Sequence, residues 1–248
     1  MITDLPEKFV DDMGSVIRSC DLSYISKGAN SGVWKYDHGY ELVAFKYFFP
    51  DRHAFSLGYR TYLHMRDLPL KNILKAYHIF SSIDYDHVVT GNFDAYSMPY
   101  LDCDPHQKLY EMKLDVLLQN LEFLQSDVSI LSDSHILMRD IKSGNSLFSR
   151  EDGLLHIIDI DMFQYLDTIS MDSILEKNQK MLYSLVKSHF FDSISEMNLS
   201  IDQIRDLQVF LRYHFSPDEA LRVSISDKVD SLFHGCESPK EYFLKRYR

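Results

Sequence analysis

The feature that most constrains this chain is the run Met138-Arg139-Asp140-Ile141-Lys142-Ser143-Gly144-Asn145. It places a carboxylate, an amine and an amide within one short loop, with the lysine two and the asparagine five residues after the aspartate. Asp159 follows Asn145 by fourteen residues and ends the apolar run LLHIID. A short apolar run of this kind is typical of a buried strand. The pattern therefore predicts a polar loop followed by a strand that ends in a carboxylate.

The loop resembles the catalytic loop of the protein Ser/Thr kinases. In that family the aspartate orients the acceptor hydroxyl and takes its proton, the lysine steadies the γ-phosphate, and the asparagine holds Mg²⁺. The resemblance implies that Asp140 and Lys142 are catalytic and that Asn145 binds both nucleotide and metal. It also implies that Asp159, together with Asp161 two residues later, belongs to the metal site.

A second match concerns the lysine that neutralises the α- and β-phosphates in the family. Val43-Ala44-Phe45-Lys46 resembles the family's Val-Ala-x-Lys, so Ala44 and Lys46 are expected to contact ATP. The surrounding run ELVAFKYFF is β-branched and aromatic, which predicts a half-buried strand. The family's glutamate partner for this lysine is missing, because residues 47–110 contain no glutamate. The sequence leaves open which carboxylate replaces it: Asp51, Asp67 or Asp159.

A third, weaker match lies upstream. Ser26-Lys27-Gly28-Ala29-Asn30-Ser31-Gly32-Val33 resembles the family's Gly-rich loop, in which small residues let backbone N–H groups approach the phosphates. Gly28 and Val33 match the family pattern, whereas serines replace its outer glycines. Lys46 follows Gly32 by fourteen residues, which is enough for two strands joined by a turn at 37–39. The resemblance implies that Gly28 and Val33 bind the nucleotide.

Hydrophobic periodicity predicts an α+β chain. An amphipathic segment is expected over 6–20, with Phe9, Met13, Val16 and Ile17 on one face. Strands are expected near 22–28, 32–36, 40–49, 74–80, 85–90 and 94–100, and a helix near 53–66. The run KLDVLLQNLEFLQ predicts a long buried helix, with apolar positions at Leu114, Leu117, Leu118, Leu121 and Leu124. A hairpin around 150–153 and three or four helices over 172–247 complete the prediction.

The resemblance implies a two-lobed protein-kinase-like fold. Residues 1–100 would form an N-lobe of antiparallel sheet with one helix, and residues 101–248 a mainly helical C-lobe. Met98-Pro99-Tyr100-Leu101 falls where the family's hinge joins the lobes and its backbone grips adenine. Met98 and Tyr100 are therefore expected to contact the nucleotide.

Composition narrows the range of partners. The net charge is −11, of which residues 1–100 carry −2 and the remainder −9. An acidic C-terminal part disfavours nucleic-acid binding and favours a basic or neutral acceptor. No apolar run reaches the ~18 residues that a membrane span needs, and the N-terminus lacks a signal-peptide core, so we expect no membrane partner and a cytoplasmic location. The three scattered cysteines and eleven histidines have no disulfide or zinc spacing.

Three functions fit these motifs. The resemblance implies a phosphotransferase that uses ATP and Mg²⁺, and Lys142 favours a protein Ser/Thr acceptor. The segment after Asp161 is short and lacks the family's Ala-Pro-Glu, since no proline occurs between Pro105 and Pro217. A small-molecule kinase of the aminoglycoside or choline type is therefore a rival. A nucleotide-binding pseudokinase is the third alternative, which the retained polar residues disfavour. The sequence does not define an oligomeric state.

Regulation can also be addressed from the sequence. An arginine before the catalytic aspartate, here Arg139, commonly pairs in the family with a phosphorylated residue of the activation segment. The segment after Asp161 offers three acceptors, Tyr165, Thr168 and Ser170. It is short, however, and Asp161 and Asp167 already supply carboxylates for Arg139. We therefore expect activity without activating phosphorylation.

Overall fold

The computed structural model describes residues 5–37, 39, 41–50, 57–103 and 114–193. Eleven strands lie in these residues, and seven of them form one antiparallel sheet. The seven are β1 (Lys8–Asp11), β2 (Val16–Arg18), β3 (Ser23–Lys27), β4 (Ser31–Asp37), β5 (Leu42–Phe48), β6 (His78–Ser81) and β7 (Ala95–Pro99). Their order across the sheet is β2-β1-β6-β7-β5-β4-β3.

The remaining elements follow in chain order around this sheet. The helices are α1 (Tyr59–Met65), α2 (Tyr85–Val89), α3 (Leu114–Asp133) and α4 (Met171–Ser193), with 3-10 turns at Ser19–Asp21 and Ser143–Asn145. The other strands are β8 (Ile136–Leu137), β9 (Ser146–Phe148), β10 (Leu155–Ile157) and β11 (Gln164–Tyr165). β9 pairs with β10, and β11 pairs with β8, both antiparallel.

The three strands predicted between residues 22 and 49 are confirmed as β3, β4 and β5. The turn between β4 and β5 is closed by Asp37, whose Oδ1 accepts the Gly39 N–H at 2.8 Å, while Gly39 takes a φ of +83°. The continuous register of β4 on β5 pairs Val33 with Lys46. β5 in turn pairs with β7, which sets Lys46 opposite Tyr96. The sheet thus brings the lysine between two neighbouring strands.

The N-terminal segment is a β-hairpin, so the helical spacing of its apolar residues was misleading. Asp11 Oδ1 accepts two backbone N–H groups of the turn, from Met13 at 2.9 Å and Ser15 at 2.7 Å. Gly14 has a φ of +82°, a left-handed conformation that glycine adopts without steric cost. Phe9 and Ile17 are buried as predicted. Val16 is exposed because side chains alternate along a strand, and Met13 is exposed in the turn.

The hairpin explains a second difference from prediction. β5 was expected to be half-buried, yet its residues from Val43 to Phe48 are all buried. Phe9 of the hairpin packs edge-on against Phe45, with 4.9 Å between ring centroids, and covers the face of the sheet that would otherwise meet solvent. Ala44 and Phe48, on the opposite face, join the main core with α1, α3 and α4. β5 is therefore enclosed on both faces.

Residues 85–90 form helix α2 and the first residue after it, where a strand was predicted. Asp84 caps the helix, since its Oδ1 accepts the His87 N–H at 2.9 Å. Gly91, with a φ of +85°, follows the end of the helix. Asp84 and Gly91 thus mark the start and the end of one short helix.

The C-terminal part of the described chain agrees with prediction. α3 buries its expected apolar positions Leu121 and Leu124, and the β9–β10 hairpin closes around 150–153. The side chains of Leu114, Leu117 and Leu118 lie outside the described part. So do residues 51–56, where the predicted first helix begins, and the helices expected beyond 193. No described helix is long and apolar enough to cross a membrane.

Candidate nucleotide and phosphoryl-transfer site

Lys46 lies at the centre of a buried ion cluster. Its side chain is 8% exposed, and its Nζ lies 3.0 Å from Asp159 Oδ1 and 2.6 Å from Asp161 Oδ2. Burial alone would lower the pKa of Lys46, but the two carboxylates outweigh it and raise that pKa above its ordinary value. Lys46 is therefore a fixed positive charge at neutral pH.

Asp161 is the more enclosed of the two carboxylates. Tyr96, which is fully buried on β7, donates its Oη hydrogen to Asp161 Oδ1 at 2.7 Å. Burial raises the pKa of Asp161 to about 6, although Lys46 pulls in the opposite direction. Burial and the neighbouring carboxylates raise the pKa of Tyr96 well above its usual range, so the hydroxyl stays a donor. Tyr96 was not among the site residues predicted from the sequence, because only its place on a strand beside Lys46 could have indicated it.

Asp159 differs from its neighbour in exposure and in pKa. Its side chain is 33% exposed, whereas that of Asp161 is 11% exposed. Burial acts to raise the pKa of Asp159, but the Lys46 ammonium outweighs it and holds that pKa below its usual value. Asp159 therefore presents an ionised, partly accessible carboxylate.

The partner of Lys46, which the sequence left open, is Asp159 together with Asp161. α1 carries no acidic residue, and Asp67 lies beside Arg66, with 3.4 Å between the nearest side-chain atoms. Asp51 lies outside the described residues. Both oxygens of Asp161 are engaged, one by Lys46 and one by Tyr96. These contacts leave Asp161 less accessible than Asp159, and the expectation that Asp161 is a metal ligand stays a prediction.

A buried aspartate on α3 holds the strand that leads to Asp159. Asp127 accepts the backbone N–H groups of Lys71, Asn72 and Ile73 at 2.7–3.1 Å. This segment then bonds to β10, since the Ile157 N–H donates to the Asn72 carbonyl at 2.7 Å. Asp159 follows β10 by two residues, so a chain of backbone bonds fixes its position.

The loop at 138–145 brings its three polar side chains together. Asp140 Oδ2 accepts from Lys142 Nζ at 2.7 Å, and Asn145 Nδ2 donates to the Asp140 carbonyl at 2.8 Å. Asp140 has a φ of +55°, an uncommon backbone conformation that is enriched at functional sites. The loop is joined to the segment that carries Asp159, because the Ile158 N–H donates to the Asn145 carbonyl at 2.9 Å. Asn145 therefore lies against the residue that precedes Asp159.

Asn178, a residue of α4 that the sequence analysis missed, anchors this loop. Its Oδ1 accepts the Met138 N–H at 2.7 Å, and its Nδ2 donates to the Ile136 carbonyl at 2.9 Å. Asn178 is fully buried, as is the Ser132 hydroxyl that accepts its other N–H at 3.0 Å. A buried side chain with satisfied hydrogen bonds fixes the backbone two residues before Asp140.

The Gly-rich match has a different steric basis from the one expected. Gly28 is exposed and would accept a Cβ at ordinary contact distance, and its N–H already donates to the Ser31 carbonyl at 2.8 Å. Gly32 is the restricted position, because a Cβ there would lie 2.3 Å from the Trp34 ring. The glycine that the structure requires is thus Gly32, where the strand packs beneath an indole.

The expected adenine contacts lie on β4, β5 and the end of β7. Ala44 pairs with Met98 across the sheet, and Val33 and Tyr100 pack half-buried against the same core. The Tyr100 N–H donates to the Leu42 carbonyl at 3.2 Å, so this amide is already bonded. Tyr100 contributes its ring, which Lys35 Nζ approaches to 4.8 Å from the centroid.

The donor set near Asp159 fits Mg²⁺. No group of three or more His, Cys, Asp or Glu that could hold a metal occurs among the described residues. Mg²⁺ does not need such a group, because it is commonly bound by one or two carboxylates together with substrate phosphates and water. Asn145 donates its amide N–H to the Asp140 carbonyl, so its Oδ1 is the atom that would face a metal, and Asp159 would add an ionised carboxylate.

Sequence comparison with known proteins places the chain in no family. No family model matches it, and no curated protein matches it. Among solved structures 1792 chains match, one of which is the crystal structure of the Mycobacterium tuberculosis PknI kinase domain. The two chains are 13% identical over 70% of this chain and 75% of that chain, with a TM-score of 0.49. A similarity of this size does not bear on activity, so the residues of the site carry the functional argument.

Proposed function

We propose that this chain has a two-lobed protein-kinase-like fold, divided near residue 100, and transfers the γ-phosphate of ATP to a hydroxyl with the help of Mg²⁺. The observation that carries the proposal is the partly buried contact of Lys46 with Asp159, made between residues 113 positions apart. One backbone bond, from Ile158 to Asn145, then connects this pair to the loop of Asp140. A strand lysine that points at solvent would not form an ion pair with carboxylates from a distant part of the chain.

The nucleotide would lie between β4, β5 and the end of β7. Val33, Ala44 and Met98 would contact the adenine, with the Tyr100 ring at its edge. The Gly28 turn would lie over the phosphates, and Lys46 would neutralise the α- and β-phosphates. To reach those phosphates, Lys46 Nζ must share its charge with them and with the two carboxylates that now hold it.

The chemistry at the γ-phosphate would be divided among four side chains and one ion. Asn145 and Asp159 would hold Mg²⁺, which when bound neutralises negative charge on the phosphates. Asp140 would accept the proton of the acceptor hydroxyl while the acceptor oxygen bonds to phosphorus and the bond to the departing ADP oxygen breaks. Lys142 would turn from Asp140 to the transferring phosphoryl group. Asp161 would hold Lys46 through the whole reaction.

Two observations bear on the class of acceptor, and they favour different classes. Lys142, two residues after Asp140, favours a protein Ser/Thr acceptor. The segment from Asp161 to α4 is short, since α4 begins at Met171. Such a segment offers little backbone on which to dock an extended peptide, and this favours the second candidate, a kinase of small hydroxylated molecules.

The test is incubation of the protein with labelled ATP and Mg²⁺ in the presence of casein, a basic protein, choline or an aminoglycoside. Transfer to either protein supports the first candidate, and transfer to either small molecule supports the second. Intact-mass analysis of the chain itself detects autophosphorylation. Binding of ATP without transfer to any acceptor would instead indicate a pseudokinase.

A further inference from the structure

Three residues of α1 contact the segment that follows Asp161. Arg60 Nη2 lies 2.9 Å from Asp167 Oδ2, and the Thr61 Oγ1 accepts the Tyr165 N–H at 3.0 Å. The ring of Tyr165 stacks on His64, with centroids 3.7 Å apart and planes at 5°, and the Arg60 guanidinium carbon lies 4.9 Å from the centre of the Tyr165 ring. We call these five residues the α1 clasp.

Tyr165 also belongs to the strand that pairs with the approach to Asp140. In β11, Gln164 pairs with Leu137 and Tyr165 with Ile136 of β8. The next residue continues the contact, because the Leu166 N–H donates to the His135 carbonyl at 2.8 Å. β8 ends three residues before Asp140. One residue, Tyr165, therefore joins α1 to the backbone that leads to the proposed base.

The clasp and the Lys46 cluster are separate devices. Among the described residues, the hydrogen bonds and ion pairs of Lys46 go to Asp159 and Asp161, and none goes to α1. The two carboxylates expected for Arg139 are both engaged elsewhere, Asp161 by Lys46 and Asp167 by Arg60. In the resembled family, the helix at the position of α1 carries the carboxylate partner of the lysine. Here α1 instead contacts the segment that contains β11, which pairs with β8.

We infer that the α1 clasp positions the loop of Asp140 through β11 and β8, and that it does so without phosphorylation of residues 165–170. This inference rests on the proposed function for its catalytic consequence. Arg60, His64 and Tyr165 are positioning residues, since none contacts the groups assigned to the reaction. An exposed ion pair is weak by itself, so the stacked Tyr165 is expected to matter more than the Arg60–Asp167 pair.

The first measurement is hydrogen–deuterium exchange and needs no activity. Tyr165→Leu removes the stack, and Tyr165→Phe keeps it as the matched control. We expect Tyr165→Leu to speed exchange of the amides of residues 163–167 and also of 136–140, with Tyr165→Phe close to the unaltered protein. Faster exchange in 163–167 alone would overturn the coupling to Asp140.

The second measurement separates turnover from nucleotide binding, using phosphatase-treated protein made in a host without eukaryotic kinases. Tyr165→Leu should lower kcat about tenfold, because small misplacement of a reacting group is costly, while affinity for a fluorescent ATP analogue changes less than about twofold. Arg60→Gln should act in the same direction more weakly. Arg66→Gln, which alters the other arginine–aspartate pair at this helix, is the control and should leave both quantities unchanged.

Charge exchange gives the sharpest test of the ion pair. The variant Arg60→Asp with Asp167→Arg should recover part of the kcat that Arg60→Asp alone loses. A loss of ATP affinity equal to the loss of kcat, or activity that appears only after phosphorylation of residues 165–170, would overturn the inference. If neither the unaltered protein nor any variant transfers phosphate to any acceptor, the proposed function fails. Hydrogen–deuterium exchange then decides by itself whether the α1 clasp positions the loop of Asp140.

Discussion

The proposed site contains two lysine–aspartate pairs that differ in their surroundings. Lys46 is 8% exposed, and two carboxylates and a tyrosine hydroxyl enclose its ion pair. Lys142 and Asp140 are 58% and 47% exposed, and their contact joins residues two positions apart. A buried charge must keep its partners, whereas an exposed pair gains little from contact and can exchange partners. In the proposed reaction Lys46 would be a fixed anchor for the nucleotide, and Lys142 and Asp140 would rearrange during transfer.

The largest expected effect tests the role of the exposed pair. Asp140→Asn should lower phosphoryl transfer by about 10²–10⁴-fold, the usual contribution of a general base. Affinity for Mg-ATP should stay within a few fold, since Asp140 acts on the acceptor. Steady-state kinetics and nucleotide titration measure the two quantities. Asp133→Asn, at the exposed end of α3, is the control, and near-normal turnover of Asp140→Asn would remove Asp140 from the role of base.

The next effect compares the stability of the two pairs through the same substitution. Lys46→Met removes the cation from the buried Asp161 and the partly exposed Asp159, and it should lower the free energy of unfolding by about 3–5 kcal/mol. Lys142→Met breaks an exposed pair and should lower it by no more than about 1 kcal/mol. Urea denaturation followed by circular dichroism measures both. Equal losses would mean that the cluster around Lys46 is as solvated as the loop.

A smaller effect distinguishes the two carboxylates that hold Lys46. Asp159→Ala should weaken Mg²⁺-dependent nucleotide binding by about 10- to 100-fold, the range seen when groups supporting a metal site are removed. Asp161→Ala should change the Mg²⁺ dependence much less, because both of its oxygens are bound to protein groups. Titration with ATP at several Mg²⁺ concentrations separates them. The reverse order would make Asp161 the ligand.

The smallest effect concerns the pH dependence of stability. The pKa of Asp161 is raised to about 6 from an ordinary 3.8, so the folded protein binds this proton more tightly than the unfolded chain does. The stabilisation is complete below the ordinary value and is lost as the pH rises through about 6. Between pH 5 and pH 7 the unaltered protein should lose about 1 kcal/mol relative to Asp161→Asn. Parallel denaturation curves at the two pH values measure the difference, and a constant difference would place Asp161 near its ordinary pKa.

Local patterns were sufficient for several elements of the fold. β-branched and aromatic runs bounded by turn residues predicted β3, β4 and β5, and a repeat of leucines predicted α3, because these signals depend on neighbouring residues. The same approach failed at 6–20 and at 85–90. In the first case Gly14 and Asp11 form a turn within an apparently helical pattern. In the second, Asp84 caps a short helix where a strand was predicted.

The sequence by itself determined which polar groups the proposed site would contain and their order along the chain: Lys46, Asp140, Lys142, Asn145 and Asp159. Tertiary structure decided their partners. Lys46 contacts Asp161, which also accepts a hydrogen bond from Tyr96. Asn178 anchors the backbone before Asp140, and Arg60 contacts Asp167, all across long stretches of chain. The spacing of residues along the chain cannot predict such contacts. Which groups form an ion pair depends on their distance and burial once the sheet and helices have packed.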